Sequence, residues 1–228
     1  MLPKLSVTLY DEGALVPASV RRGDRETPVW IQSRWEEGEH AVYIRRNGCG
    51  HSCVAMAARL LGVGDVTPYT EYEHCLSLFG PPSPERDEGH FLSPRGVALS
   101  LCGFGLTAEV HPYPAGHREA AADAILSALA RGELVVFLSF PETPDNPFST
   151  GAHYVLLCGI DGEGRVLCAN SSVKAVTDTL GIHYVTREQL IRAIPEAGGT
   201  IGEGDTWGLE HGYRQNAGYI IVKETGYV

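Results

Sequence analysis

A cysteine between two glycines is the first feature of the sequence that could do chemistry. Cys49 lies in Asn47-Gly48-Cys49-Gly50, just before a stretch with helical periodicity, so the pattern predicts it at a helix N-terminus. There, unpaired backbone N–H groups and the positive end of the helix dipole favour a thiolate and lower its pKa. The N–H of Cys49 would also point towards an oxyanion formed beside the sulfur. We therefore predict that Cys49 is a nucleophile.

Two polar residues at the ends of a predicted hairpin could assist this thiol. His153 opens one strand, Asp161-Gly162-Glu163-Gly164 reads as the turn, and Asn170 ends the next strand. The far ends of such a hairpin lie close together, so Asn170 is expected to accept the ring N–H of His153 and fix its tautomer. Asp161 is a rival partner, but it lies at the wrong end of the hairpin. The spacing thus predicts a Cys-His-Asn set.

The elements that must position these residues follow from hydrophobic periodicity, helix caps and turn signals. Helices are predicted over about Cys49–Leu61, Pro94–Gly103, Arg118–Arg131 and Arg187–Ala193, and strands over Leu134–Leu138, Tyr154–Ile160, Arg165–Asn170 and Tyr219–Lys223. Helices come first and antiparallel strands follow, so the predicted fold class is α+β, with the nucleophile helix packed against an antiparallel β-sheet.

Composition bounds the remaining possibilities. The chain has 228 residues, 43% of them hydrophobic, and a net charge of −10, which suits a globular protein with a sizeable core and argues against a nucleic-acid partner. Six cysteines are too few for a disulfide scaffold. No signal peptide and no membrane-spanning stretch is recognised, so a cytoplasmic location with free thiols is expected, although a secreted mature form stays open. The oligomeric state is not predicted.

Four segments, taken in order, resemble the papain-like cysteine peptidases of the bacteriocin-leader-processing (double-glycine) type and their stand-alone relatives. They are Ile31-Gln32-Ser33-Arg34-Trp35, Asn47-Gly48-Cys49-Gly50 with the helix that follows, Gly132-Glu133-Leu134-Val135-Val136, and the His153 strand from Phe148 to Asp161 with its hairpin partner Asn170-Ser171-Ser172. The resemblance implies a papain-like fold without a cofactor. It further implies Cys49 as nucleophile, His153 as base, Asn170 as orienting residue and Gln32 as an oxyanion donor.

The resemblance also suggests how the chain is organised. Residues 30–175 are expected to form the papain-like core, residues 1–29 an N-terminal segment, and residues 176–228 an extension that completes the same domain. The chain shows no P-loop and no spanning segment, which fits the stand-alone form. The expected activity is a thiol hydrolase that cleaves a peptide or small amide. A Cys49 thiolate paired with the imidazolium of His153 would attack the carbonyl and form a thioester.

Three alternatives stay open at this stage. The same triad could serve an acyltransferase resembling phytochelatin synthase or transglutaminase-like enzymes, or the protein could be a peptide-binding relative without activity. A structural zinc site is the third, since Cys49, His51 and Cys53 cluster and two strand cysteines could join them, but the spacing is weak and no metal is predicted. His51 is expected on the helix surface. The other five cysteines are expected to pack in the core: Cys53, Cys75, Cys102, Cys158 and Cys168.

Overall fold

The computed structural model of the chain describes residues 3–80, 93–140, 146–149, 151–172, 180–199 and 217–225. Within these ranges the chain forms two antiparallel sheets and six α-helices. The strands are β1 Leu5–Leu9, β2 Ala18–Arg22, β3 Arg25–Val29, β4 Leu106–Pro112, β5 Leu134–Ser139, β6 His153–Ile160, β7 Val166–Ala169, β8 Ile182–Val185 and β9 Gly218–Glu224. The helices are α1 Ala41–Asn47, α2 Cys49–Leu60, α3 Pro68–Phe79, α4 Pro94–Gly103, α5 Arg118–Ala130 and α6 Arg187–Arg192.

The larger sheet has six strands in the order β4-β9-β5-β6-β7-β8, and every neighbouring pair is antiparallel. All residues of β5 and β7, and all of β6 except Ile160, are buried. Both faces of the central strands are therefore covered, and α2 and α5 each pack against β6. The architecture is a mixture of helices and antiparallel sheet, in agreement with the predicted α+β class.

The predicted elements are confirmed to within about two residues at each end, and their capping signals work as expected. The Ser93 side chain accepts a hydrogen bond from the Gly96 N–H at the start of α4. Thr186 and Gln189 form both hydrogen bonds of a capping box at the start of α6. Gly132, which follows α5, has φ of 84°, a left-handed conformation that glycine adopts without strain.

Residues 5–29 form a three-stranded sheet, where the sequence predicts only an N-terminal segment. Strands β1, β2 and β3 form an antiparallel sheet in that order, and β3 packs against α2. Arginines, a glutamate and Pro28 interrupt the apolar alternation in β2 and β3, so these strands give little periodic signal. Pro28 is tolerated because β3 is an edge strand of this sheet.

Helix α2 is buried on all sides rather than along one stripe. Every residue from Gly50 to Ala58 is buried, because α2 packs against β3, β6, α3 and α4. Its many alanines, glycine and serine let these neighbours approach closely on faces that the periodicity predicts as solvated. The expectation that His51 lies on the helix surface is therefore wrong, since only 2% of His51 is exposed.

The hairpin between β6 and β7 forms at the predicted turn but contains a bulge. Leu157 is opposite Cys168 whereas Gly159 is opposite Leu167, so one residue of β6 is left over between them. Gly159 has φ of 153°, and a Cβ there would lie 2.6 Å from Leu5 Cδ1 of β1. Because of the bulge, the pairing of β6 with β7 from Gly159 to the turn is shifted by one residue from the pairing that a regular hairpin with a four-residue turn would have.

The described residues contain no helix long and apolar enough to cross a membrane. Strands β8 and β9, both beyond residue 175, belong to the six-stranded sheet, and β9 lies between β4 and β5. The proposed boundary between residues 175 and 176 itself falls outside the described residues.

Candidate active site

Cys49 begins α2 directly after a bend in the chain at Gly48. The Gly48 N–H donates to the Ile44 carbonyl and ends α1, while the Gly48 carbonyl accepts from Ser52 N–H and begins α2. A Cβ at Gly48 would lie 2.3 Å from the Ile44 carbonyl oxygen, so this position requires glycine. Gly48 therefore lies in close approach to the backbone of the preceding helix. The bend places a half-buried thiol at the helix N-terminus.

The sulfur of Cys49 lies beside the first residues of β6. Backbone N–H groups of Tyr154, Gly50 and Cys49 itself hydrogen-bond to it and lower its pKa. Burial raises the pKa by more, so the net shift of the Cys49 thiol is upward. The expectation of a lowered thiol pKa is therefore wrong for the free protein: the helix N-terminus contributes as predicted, but desolvation outweighs it.

His153 and Asn170 are hydrogen-bonded, with 2.7 Å between Nε2 of His153 and Oδ1 of Asn170. Leu156 is opposite Ala169, so continuing the register places Asn170 opposite Val155, on the same sheet face as His153. The side chains therefore meet diagonally across the two strands despite the bulge. Asp161, the rival partner, accepts hydrogen bonds from its own turn, from the N–H groups of Glu163 and Arg165.

Burial lowers the pKa of His153 to about 4, because the imidazolium would be desolvated there. The hydrogen bond to Asn170 raises this pKa and the nearby His183 lowers it further. Together with the raised pKa of Cys49, this means that the two groups rest as a neutral thiol and a neutral imidazole near pH 7. The predicted resting thiolate–imidazolium pair is thus corrected by the burial of both partners.

Gln32 begins a short 3-10 helix, Gln32–Arg34, that lies beside the residue following Asn170. The Gln32 N–H donates to the Ser171 carbonyl at 2.9 Å, and the Ser171 hydroxyl donates to Gln32 Oε1 at 3.1 Å. The Gln32 amide nitrogen lies 3.5 Å from the Arg45 carbonyl in α1. Ser171 thus orients the Gln32 amide, with its N–H₂ directed to the helix that precedes Cys49.

Sequence reasoning missed two side chains that belong to this group. Ser171 orients Gln32, and the His183 side chain contacts Asn170, with 3.1 Å between Nε2 of His183 and Nδ2 of Asn170. One signal was available for His183: in Ile182-His183-Tyr184-Val185, alternation places the histidine on the same inward face as Val185. No spacing rule connects Ser171 with a glutamine 139 positions earlier.

A second polar cluster lies on another side of α2. The carboxylate of Glu71 contacts Nδ1 of His51 and accepts hydrogen bonds from the Cys75 thiol at 3.0 Å and the Ser100 hydroxyl at 2.7 Å. All four residues are almost fully buried. These contacts satisfy the carboxylate and lower the pKa of Glu71, chiefly through His51, against the opposing effect of burial.

Among the described residues, this cluster is the one group whose donor atoms could hold a metal ion. The ligand atoms of His51, Glu71 and Cys75 lie within 4.8 Å of one another. The zinc alternative built on Cys49, His51 and Cys53 is not assembled, because the His51 ring contacts Glu71. The cysteine expectations hold for four of the five, since Cys53, Cys75, Cys158 and Cys168 are buried, whereas Cys102 is exposed on α4.

No family model matches the sequence, and a search of the curated proteins finds no match. Among solved structures, the chain is similar to a crystal structure of a double glycine motif protease from an AMS/PCAT transporter in complex with the leader peptide. The sequence identity is 14%, the match covers 78% of this chain and 84% of that chain, and the TM-score is 0.42. A TM-score this low does not assign a fold or an activity to the chain.

Proposed function

We propose that the protein is a cysteine hydrolase of the papain-like, double-glycine-peptidase-like class, which cleaves a peptide or small amide through Cys49, His153 and Asn170. The observation that carries this proposal is the placement of the Cys49 sulfur against the Tyr154 N–H, one residue from a histidine that is bonded to a buried asparagine. A thiol, an imidazole and an orienting amide in this order are the parts of a nucleophile–base–orienter set.

His153 acts as the general base in this proposal. Its Nε2 is bonded to Asn170, which leaves Nδ1 to take the thiol proton as the Cys49 sulfur attacks the carbonyl carbon. The N–H of Cys49 and the amide nitrogen of Gln32 hold the oxyanion. The imidazolium then donates its proton to the leaving amine, and water, deprotonated by His153, hydrolyses the thioester. General acid–base assistance contributes about 10²–10⁴-fold and one oxyanion donor about 10²–10³-fold.

Peptide cleavage and thiol alkylation test the proposal together. The protein and its Cys49→Ala variant are incubated with a mixed peptide library, and new termini are mapped by mass spectrometry. We expect cleavage by the wild type and by Cys102→Ala, a matched control on an exposed thiol, and none by Cys49→Ala. Cleavage that persists in Cys49→Ala would overturn the assignment.

The alkylation measurement separates a hydrolase from an inactive binding relative. Because burial raises the pKa of the Cys49 thiol, its alkylation by iodoacetamide should depend on proton removal by His153, and His153→Gln should slow it. Cys102 is the internal reference because it is exposed on the same molecule. A ratio of Cys49 to Cys102 alkylation rates that His153→Gln leaves unchanged, with no cleavage product, would favour the binding relative. The product mass with and without added amine distinguishes hydrolysis from acyl transfer, which the same triad would also catalyse.

A further inference from the structure

The amide of Asn170 uses every hydrogen-bonding position it has. Its Oδ1 lies 2.7 Å from Nε2 of His153 and 2.9 Å from the Ser172 N–H. Its Nδ2 lies 2.9 Å from the Phe148 carbonyl and 3.1 Å from Nε2 of His183. A side-chain amide offers two acceptor positions and two donor hydrogens, so these four partners complete it.

The two backbone partners fix which way the amide faces. The Ser172 N–H can only donate, so the atom beside it must be the oxygen, and the Phe148 carbonyl can only accept, so the atom beside it must be the nitrogen. The Phe148 carbonyl is itself held in place, because the Phe148 N–H donates to Asn146 Oδ1 and Asn146 Nδ2 donates to the Phe140 carbonyl. The amide therefore cannot rotate by half a turn without losing both bonds.

This orientation dictates the protonation of both histidines. His153 faces an oxygen, so its Nε2 carries the proton and its Nδ1 is bare. His183 faces an N–H₂ group, so its Nε2 is the acceptor and the proton of the neutral ring lies on Nδ1. The hydrogen bonds thus run from His153 to the Asn170 oxygen and from the Asn170 nitrogen to His183.

We propose that His183 is a positioning residue of this site, which acts through Asn170 to hold His153 in the tautomer and orientation that leave Nδ1 as the base. The inference rests on the proposed function only for its catalytic consequence. Asn170 is 0% exposed, so without an acceptor at position 183 one amide hydrogen would be buried unpaired. A buried unpaired donor is costly, so the amide would tilt towards another acceptor and strain its hydrogen bond to His153, although its backbone partners still prevent a half-turn.

The position of His183 in the fold suits this role. In the β7–β8 ladder His183 is opposite Cys168, two residues before Asn170 on the same face, and its ring packs edge-on against Phe148, with ring centroids 6.4 Å apart. His183 therefore approaches Asn170 from the strand beyond β7, while His153 approaches it from β6.

Nitrogen NMR of histidine-labelled wild-type protein tests the inference without any assumption about activity. Ring ¹⁵N shifts distinguish the two neutral tautomers, and the signals are assigned with the His153→Gln and His183→Gln variants. We expect the Nε2–H tautomer at His153 and the Nδ1–H tautomer at His183. An Nε2–H tautomer at His183 in the wild type would overturn the inference, whether or not the protein proves to be a hydrolase.

Two variants at position 183 test the catalytic consequence. His183→Phe fills the space beside Phe148 but offers no acceptor, whereas the Oε1 of His183→Gln replaces the acceptor Nε2. In the Phe variant we expect alkylation of Cys49, measured against Cys102, to slow about 10- to 100-fold, within the 10²-fold or more that a general base supplies. The Gln variant should recover most of this rate.

Equal slowing in both variants would overturn the role of the acceptor and leave His183 a packing residue. If His183→Phe does not fold, the wild-type tautomers and the Gln variant still decide the question. A wild type that shows both expected tautomers but no cleavage and no His153-dependent alkylation of Cys49 would overturn the proposed function and leave the hydrogen-bond assignment intact.

Discussion

Two buried histidines lie on different sides of the N-terminal half of α2, and they differ in the chemistry of their oxygen partner. On the sheet side His153 contacts the neutral amide of Asn170, and on the helix side His51 contacts the carboxylate of Glu71. Because the Asn170 amide is neutral, burial is the main influence on the protonation of His153, and it lowers the pKa of His153 to about 4. On the helix side, the contact with His51 instead lowers the pKa of the Glu71 carboxyl, against the opposing effect of its burial.

The cysteines beside the two histidines differ in the same way. Cys49 accepts backbone hydrogen bonds, which stabilise its thiolate, whereas Cys75 donates its thiol hydrogen to Glu71. Burial and the adjacent carboxylate raise the pKa of Cys75 far above its usual range. The two thiols thus differ both in exposure and in partner, since Cys49 is half-buried and accepts from backbone N–H groups whereas Cys75 is buried and donates to a carboxylate. In the proposed function this difference separates the nucleophile from a thiol of the core.

The largest expected effect separates these two thiols. If the proposed function holds, Cys49→Ser should lower the rate of peptide cleavage by about 10⁴-fold or more, as loss of the nucleophile does in known triad hydrolases. Cys75→Ser keeps a donor to Glu71 and should retain most of the activity. The measurement is kcat/KM on a peptide found with the library. A Cys75→Ser variant that loses activity as completely as Cys49→Ser would show that the helix-side cluster takes part in the chemistry.

The next effect concerns the buried carboxylate of Glu71. Glu71→Gln preserves the shape of the side chain but replaces a carboxylate oxygen that contacts His51 or accepts from Cys75 and Ser100 by an N–H₂ group. Disrupting such a buried polar cluster should cost about 1–3 kcal/mol of unfolding free energy. Glu73→Gln, on the exposed side of the same helix, is the matched control and should change stability by less than about 0.5 kcal/mol. Urea denaturation measures both variants. Equal, small losses would mean that the Glu71 carboxylate does not stabilise the helix-side cluster.

The two histidine regions should also lose stability in different pH ranges. The folded pKa of His153 is about 4 against an ordinary value of 6.5, so between these values the unfolded chain binds more protons and stability falls as pH falls. The loss amounts to about 3 kcal/mol across this range. Glu71 has a pKa lowered from 4.5, so its contribution is lost only below that pH.

Variants separate the two ranges. In His153→Gln the fall in stability between pH 6.5 and 4 should be smaller than in the wild type, and in Glu71→Gln the fall below pH 4.5 should be smaller. Urea titrations at closely spaced pH values measure the difference between each variant and the wild type. A wild-type curve that His153→Gln leaves unchanged between pH 6.5 and 4 contradicts a histidine held neutral by burial.

The sheet side was more predictable from the sequence than the helix side, for a physical reason. A hairpin brings together residues at fixed distances from its turn, so His153 and Asn170 could be paired from Asp161-Gly162-Glu163-Gly164 alone. Contacts between helices have no such rule: His51 and Glu71 lie 20 positions apart on α2 and α3, and nothing in their spacing connects them. The start of helix α3 could have been predicted from the sequence, because Thr67-Pro68 is the same N-cap-and-proline signal as Ser93-Pro94.

The smallest expected effect concerns metal. Although His51, Glu71 and Cys75 offer three donor types within 4.8 Å, the hydrogen bonds from Cys75 and Ser100 and the contact with His51 already satisfy the Glu71 carboxylate. We therefore expect 1,10-phenanthroline or EDTA to leave the midpoint of thermal unfolding unchanged, and elemental analysis of the purified protein to find no stoichiometric metal. A structural zinc would contribute about 10–16 kcal/mol, so its removal could not pass unnoticed. Cys75→Ser sharpens the test, because serine preserves a hydrogen bond to Glu71 but is a poor zinc ligand. If this variant and the chelator destabilise the fold equally, the helix-side cluster is a metal centre, and its contrast with the sheet side is one of metal ligation rather than of hydrogen bonding.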